Sequence, residues 1–315
     1  MSLIRMEISS IIKILSYTYL ASIVGIFLII WLLGDKWWFA TILLYGPRWI
    51  YILPLFVLLP FSIYFERLAL MPLGISLGII VWLIMGFNIP WNSLLNFHTS
   101  NQASLRILTY NIQRWEVNGK EFAHLLDSVN ADIAAVQECA PSSWSVPDKW
   151  HVKRKGTNVV ISRYPIISTK ISYGVQNPNG VYCVIQTPMG RVGFCSVDLL
   201  TPRRALSLVL DPIYIFDLSN TDKAQEKIEY RWEESRKLSE WIGAFPQSKQ
   251  ILAGDFNLTV DSNIYRSFWS KYRNAFNETS YGFGHTKKAD INIFEYSARI
   301  DHILSTSSLT PIRTW

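Results

Sequence analysis

The sequence predicts N-terminal transmembrane helices followed by an α/β domain, and three observations carry that prediction. Long uncharged apolar runs fill the first 90 residues, and beyond about residue 100 the chain turns polar. In the second part short apolar strands alternate with amphipathic helices, the pattern of sheets covered by helices. Half of the 315 residues are hydrophobic, enough for a membrane region and a buried core.

The first run, Ile14 to Gly34, has no charged residue. As a helix it would be ~31 Å long, enough to cross a hydrocarbon core of ~30 Å. It is too long for the apolar segment of a signal peptide and two more runs follow, so it reads as an anchor spanning about 14–34. The second, about 45–65, contains Pro54 and Pro60, both tolerable in a membrane helix. It takes Arg48 toward an interface. The third, about 68–87, follows Glu66 and Arg67 in a tight hairpin. Trp37, Trp38, Trp49, Trp82 and Trp91 lie near the ends of these runs, as aromatic belts do.

Residues 1–90 therefore form the membrane region, 91–103 a connector, and 104–315 the domain. Three spans put the N-terminus and the domain on opposite sides of the cell membrane. Arg5, Lys13 and Arg67 flank one side, Lys36 and Arg48 the other. The positive-inside rule then places the domain outside the cytoplasm.

The net charge of +6 is a mild excess that does not itself imply nucleic acid. Lys153, Arg154 and Lys155 read as a solvated loop, whereas Arg203 and Arg204 suit a phosphate. Cys183 and Cys195 are symmetric about the turn at Pro188 to Gly190 and could face one another in a hairpin. Directly opposed strand residues sit too far apart for a relaxed disulfide, and Cys139 is left over, so free thiols are expected. No metal-type Cys/His spacing is present.

Along the domain, Leu105 to Ile112 alternates like a half-buried strand and delivers Asn111 at its end. A helix follows over about 119–129, with Phe122, Leu125, Leu126 and Val129 on one face. ADIAAVQE is a short strand ending in Glu138, and Asn158 to Ile161 is another. Val181 to Leu200 forms the hairpin, whose second arm ends at Asp198. Thr221 to Ile242 is a long amphipathic helix with Ile228, Trp232, Leu238, Trp241 and Ile242 on its stripe. ILAGDFN is a buried strand whose Asp255 and Asn257 share one side while Phe256 takes the other. A helix near 267–276, the glycine loop GFGHT and a last strand, ARIDHILS, complete the order.

Polar residues thus come last on strand after strand: Asn111, Glu138, Asp198, Asp255 with Asn257, and Asp301. Catalytic groups in sheet enzymes sit beyond strand ends. Carboxylates and carboxamides are what a hard divalent cation and a phosphate oxygen select.

YNIQ, VQE, GDFN and RIDH, in that order, resemble the endonuclease/exonuclease/phosphatase superfamily from about residue 104 to the C-terminus. The membrane segment, with WWFATILLYGPRW, resembles that of bacterial membrane-anchored members. The resemblance implies a four-layer sandwich of two mixed β-sheets flanked by helices, and hydrolysis of phosphate esters with Mg²⁺ or Mn²⁺. By resemblance Glu138 binds the metal and Asn111 helps hold metal and phosphate. Asp255 positions or activates the attacking water, and Asn257 donates to the phosphoryl oxygen. Asp301 supports the metal or a catalytic histidine, and Arg203 contributes to phosphate binding.

Two departures accompany the resemblance. Asp198 stands where the family has a histidine, and the family's Ser-Asp-His segment is not found before Trp315. His302 follows Asp301 but alternates to the opposite face of its strand. The expectation is a membrane-anchored, divalent-metal-dependent phosphoesterase, C-terminally truncated or impaired. The alternative is a non-catalytic relative that binds metal and phosphate at the membrane surface. Nothing reads as a base-recognition device or a protein partner. A phosphate-ester substrate is expected, a lipid headgroup being easier to reach than nucleic acid.

Overall fold

The computed structural model describes residues 2–91, 103–112, 119–139, 149–174, 178–210, 218–291 and 294–315. Three helical stretches at the N-terminus, Arg5–Leu33, Arg48–Phe65 and Arg67–Ile84, are long and apolar enough to cross a membrane. The first lies within α1 (Ser2–Leu33). The second enters through a 3-10 turn at Arg48–Ile52 into α3 (Leu53–Phe65). The third runs from a 3-10 turn through α4 (Leu70–Gly78) into a π-helical turn at Ile79–Ile84. Tyr19, Ile23, Ile30, Leu55, Leu73 and Ile80 form the seam between them. Leu28, Phe56, Val57, Ile63, Met71 and Trp82 point outward, so these helices are apolar all round, as buried or membrane helices are.

Two expected boundaries shift. Residues 38–45 form a separate helix, α2 (Trp38–Tyr45), because Gly46 precedes Pro47 and is pushed to an extended conformation that ends it. The third stretch stops before Phe87 because Gly86, at φ +74°, takes the left-handed turn typical of a helix C-terminus. Most of the 91–103 connector lies outside the described residues.

The domain holds two mixed sheets. The first has the order β1 (Ile107–Asn111), β2 (Ile133–Gln137), β4 (Asn158–Ser162), β3 (His151–Lys155), with β1 and β2 parallel and the other pairs antiparallel. The second has the order β5 (Ile166–Tyr173), β6 (Pro178–Thr187), β7 (Gly190–Asp198), β8 (Gln250–Asp255), β12 (Asp301–Ser305), β9 (Arg273–Asn274), in which only β7 and β8 are parallel. A separate hairpin pairs β10 (Lys287–Ile291) with β11 (Phe294–Ala298). Ile133, Ala135 and Val160 of the first sheet meet Val181, Val192, Phe194, Ile251 and Ala253 of the second. Outside them, α5 (Gly119–Ser128) covers the first sheet through Phe122 and Leu126. The long α7 (Leu218–Gly243) covers the second through Leu238 and Ile242. The four layers are those the sequence implied.

Other details depart from expectation. Lys153, Arg154 and Lys155 are not a loop but part of β3, a sheet edge whose charges discourage further pairing. The helix expected near 267–276 is two short ones, α8 (Asn263–Phe268) and α9 (Ala275–Thr279), separated by β9. Ser262 and Asn274 each accept a backbone N–H and so cap a new helix start. In the β6/β7 hairpin Cys183 lies opposite Phe194 and Cys195 opposite Tyr182. This one-residue offset puts the two thiols on opposite faces, one between the sheets and one beneath α7. None of the three cysteines is in a disulfide, and Cys139 Sγ accepts a hydrogen bond from Arg154 Nη2 at 2.8 Å.

Candidate active site

The site begins with β8, which alternates Ile251 and Ala253 toward the first sheet and Leu252 toward α7. Gly254 has φ +153°, and a Cβ there would sit 2.0 Å from the Val197 carbonyl oxygen. Only glycine lets β8 lie this close to β7 just before Asp255. Phe256 packs into the outer core, edge-on to Trp269 at 5.0 Å. Asn257 then adopts φ +51° and its N–H returns to Asp255 Oδ1 at 2.9 Å. The two residues are brought together, but by a turn rather than by continued strand alternation.

Register aligns the carboxylates. Asp198 lies opposite Asp255 across the parallel pair β7/β8, and Asp301 lies opposite Asp255 across the antiparallel pair β8/β12. Adjacent strands are ~4.8 Å apart, so three carboxylates form a row on the inner face, at the mouth between the sheets. Asn111, at the end of β1, reaches across: its Nδ2 donates to Asp255 Oδ2 at 2.9 Å and to Glu138 Oε1 at 3.1 Å. Glu138 stands just past β2 with φ +53°. A buried Asp255 is thus ringed by half-buried Asn111, Glu138, Asp198 and Asp301.

Burial, then the charges of Asp301 and Asp198, pushes the Asp255 carboxyl well above the usual range. Hydrogen bonds from Asn111 and Asn257 oppose this. Burial likewise pushes Asp301 up to about 6, restrained by Thr286 and Lys287.

A polar floor that sequence reading missed lies beneath the row. Gln137 Nε2 donates to Ser196 Oγ (3.2 Å) and Ser196 Oγ donates to Asn158 Oδ1 (2.6 Å), all three fully buried between the sheets. The available signal was a polar residue at an inward position of each strand, Gln137, Asn158 and Ser196 sharing a face with Ala135, Val160 and Phe194.

Other expected residues are placed differently. Asn257 is buried, and its Nδ2 donates to the Leu199 carbonyl at 2.7 Å, tying together the loops after β7 and β8. Arg203 is exposed at the first position of α6 (Arg203–Leu210), a helix that packs against α2 and α7. It is not among the strand-end residues. His302 is buried on the opposite face from Asp301: Nε2–H donates to Leu258 O (2.8 Å) and Nδ1 accepts from Asn274 Nδ2 (3.2 Å).

A second charged cluster, whose pairing no local pattern marks, adjoins the site. Asp35, fully buried between α1 and α2 at φ +57°, forms an ion pair with Arg231 of α7. Tyr45 and Ser262 also donate to Asp35 Oδ2, at 3.1 and 2.5 Å. Arg231 continues to the carbonyls of Leu200 (3.1 Å) and Asn257 (2.8 Å). The N-terminal helices are thereby bonded to both loops that carry the carboxylate row. Asn88, past the third helix, adds a backbone bridge to Gly282.

The donor set fits a hard divalent cation. It is all oxygen, and it concentrates negative charge about Asp255. Among the described residues no three acidic, histidine or cysteine side chains converge tightly enough to cage an ion.

A profile of the Endonuclease/Exonuclease/phosphatase family matches residues 108–315. No curated protein matches the chain. Similar solved structures include an endonuclease/exonuclease/phosphatase family protein from Leptotrichia buccalis C-1013-b, 15% identical, covering 67% of this chain and 89% of that one, TM-score 0.44. The mannosyl-6-phosphatase of Bacteroides thetaiotaomicron VPI-5482 is 15% identical over 65% and 86% of the two chains, TM-score 0.41. TDP2 of D. rerio, solved with a single strand DNA product, is 12% identical over 67% and 88%, TM-score 0.43.

Proposed function

Because the chain belongs to the Endonuclease/Exonuclease/phosphatase family, we propose that it is a membrane-anchored, divalent-metal-dependent phosphoesterase. The observation that carries this reading is the row Asp198, Asp255, Asp301, in register at the sheet mouth and joined through Asn111 to Glu138. Glu138, with Asp301 and Asn111 beside it, would hold Mg²⁺ or Mn²⁺. The bound cation supplies neutralisation of charge on the phosphoryl oxygens. Asp255 is the base: each of its oxygens accepts one hydrogen bond, from Asn257 N–H and Asn111 Nδ2, which fixes its plane for an incoming water. Its raised pKa makes it a stronger proton acceptor than an ordinary carboxylate. Asn111 orients both carboxylates, since its two amide protons are committed to them. Asn257 holds the loop through Leu199 O, and its second amide proton would be the one available to a phosphoryl oxygen.

We further place the three apolar helices across the cell membrane with the domain outside the cytoplasm. The ends of the first and third helices and the start of the second all contact the domain through Asp35, Asn88 and Arg48. Ser9 and Glu66 meet at the far end. Arg5, Lys13 and Arg67 at the far end outnumber Lys36 and Arg48 at the domain end, and that excess sets the orientation. Docking this close to the membrane favours phosphate esters at its surface, lipid headgroups included.

A second reading, a non-catalytic metal and phosphate receptor, draws on Asp198 in place of a histidine and on the Asn257 amide already bonded to Leu199 O. The deciding experiment follows turnover of bis-p-nitrophenyl phosphate and p-nitrophenyl phosphate by the full chain in Mg²⁺, Mn²⁺ or chelator. Calorimetric metal titration of the same chain and of Glu138→Ala accompanies it. Metal-dependent turnover that Asp255→Asn abolishes supports the enzyme. Metal binding that depends on Glu138, with no turnover, supports the receptor, and absence of both removes the site.

A further inference from the structure

A cavity of about 150 Å³ lies away from the carboxylate row, where the start of the second apolar helix and the end of the third meet the domain. Arg48, Trp49, Asp261, His285 and Arg299 line it. Its charges do not balance. Arg48 is satisfied: it pairs with Asp261 and donates to the carbonyls of Leu44 and Ile84. Asp261 also lies within electrostatic reach of Arg299, so two guanidiniums face one carboxylate on the wall. Arg299 is only 7% exposed; its guanidinium stacks 4.3 Å from the Phe276 ring and its Nη2 donates to Asn277 Oδ1 at 2.7 Å. Its Nη1 is buried with no hydrogen-bond partner. Leaving a charged donor unmet in a buried place is costly, so the position calls for an acceptor. His285 stands exposed at the mouth, its ring stacked on Phe283 at 5.4 Å.

We propose that this cavity binds the phosphate of an anionic phospholipid headgroup. Arg299 Nη1 is the buried donor and His285 the donor at the rim. The position of the cavity selects the source. It opens between the ends of two membrane-length helices, beside Trp49, at the level where headgroups lie and where tryptophans concentrate. A guanidinium nitrogen suits a phosphate because the charge-assisted hydrogen bond it donates is stronger than a neutral one. The lipid would act as a wedge between the helices and the loop Thr259 to Asp261 that follows the candidate active site. The inference rests on the membrane placement proposed above and is independent of catalysis.

The test uses the full chain purified in mild detergent. Native mass spectrometry counts retained dioleoyl phosphatidylglycerol against dioleoyl phosphatidylcholine, and thermal melting is followed with each lipid and with inorganic phosphate. A preference for phosphatidylglycerol is expected. Arg299→Gln should weaken it by about tenfold or more, the worth of one charge-assisted hydrogen bond. Should that buried substitution unfold the chain, His285→Ala, at an exposed position, should still weaken the preference several-fold. Equal retention of both lipids by the wild type, or a preference unchanged in His285→Ala and Arg299→Gln, overturns the proposal. Protection by inorganic phosphate equal to that by phosphatidylglycerol also overturns it, by assigning the site to a soluble anion. Carbonate extraction separates the premises: release of the chain from membranes refutes the membrane placement, whereas retention without lipid preference refutes the lipid site alone.

Discussion

The Asp35–Arg231 pair and the row Asp198, Asp255, Asp301 are joined by one residue, Asn257, whose carbonyl serves the first and whose N–H serves the second. Both clusters are charged and largely buried, yet they are built on opposite terms. Around Asp35, one oxygen meets Arg231, the other meets Tyr45 and Ser262, and every charge has its counterpart. Around Asp255, burial is compounded by two like charges and relieved only by neutral amides. A cluster that contains its own counter-charge is complete as folded, and its value is to fix geometry. A row of like charges is relieved by a bound cation.

The largest effect should come from breaking the complete cluster. Arg231→Met leaves Asp35 buried without its cation, a loss of about 3–5 kcal/mol. It should appear as a large drop in melting temperature of the full chain in detergent. The double variant Asp35→Leu with Arg231→Met removes both charges and should recover most of the loss. If the single variant melts like wild type, the pair is not what fastens the helices to the site loops.

The incomplete cluster should behave in the opposite way. Asp255→Asn removes the charge squeezed between Asp198 and Asp301, so the metal-free protein should melt at the same temperature or higher. Turnover of bis-p-nitrophenyl phosphate should nevertheless fall by about 10² to 10⁴, the usual contribution of a positioned base. A destabilised Asp255→Asn protein would mean that the row is held together by bonds of its own, and the contrast between the clusters would fail.

Part of this contrast was legible in the sequence. Asn111, Glu138, Asp198 and Asp255 each end an apolar segment, and strand-end position follows from local alternation; Asp301, expected at a strand end, instead opens β12 and reaches the same mouth because β12 runs antiparallel to β8. That they share one mouth depends on pairing: Asp255 meets both Asp198 and Asp301 because β7 and β12 flank β8 in register. The ordered motifs supplied that arrangement only through resemblance. The Asp35–Arg231 pair was not legible at all, because nothing local in GDKWW or EYRWEE marks one as the partner of the other. The edge strand β3 was lost for a related reason: charge on an exposed edge erases the alternation that identifies strands. The cysteine register failed by a single residue, which is enough to exchange faces.

His302 supplies a third case, an ionisable group buried in its neutral form. Burial, aided by Arg299, lowers its pKa to about 3 against an ordinary 6.5. Between those values the unfolded chain holds a proton that the folded chain refuses, so folding is disfavoured as pH falls through that window. The slope is up to about 1.4 kcal/mol per pH unit. The raised carboxylates work in the other direction, so the quantity to measure is the difference in melting temperature between wild type and His302→Gln from pH 7 to pH 4. His302→Gln should lose stability at neutral pH and then lose less than wild type on acidification, with turnover per folded molecule unchanged. Turnover lost in a folded His302→Gln protein would return that histidine to the chemistry.

The smallest effect is expected at Asp198, where the two views of the row can be separated. If its carboxylate chiefly repels, removing it should favour an anionic substrate: a unit charge at ~6 Å in a water-like medium is worth about 0.7 kcal/mol, or roughly threefold. KM for bis-p-nitrophenyl phosphate should then fall about threefold in Asp198→Asn. Asp198→His removes the same charge and adds an imidazole donor, so any further gain in kcat over Asp198→Asn measures what a donor at that position contributes. Asp255, relieved of one neighbour, should also titrate lower, shifting the acid limb of the pH profile toward lower pH in both variants. If instead KM rises and Mg²⁺ affinity drops in both, Asp198 belongs to the cation's surroundings, and the row is a ligand set along its whole length rather than a base with two charged neighbours.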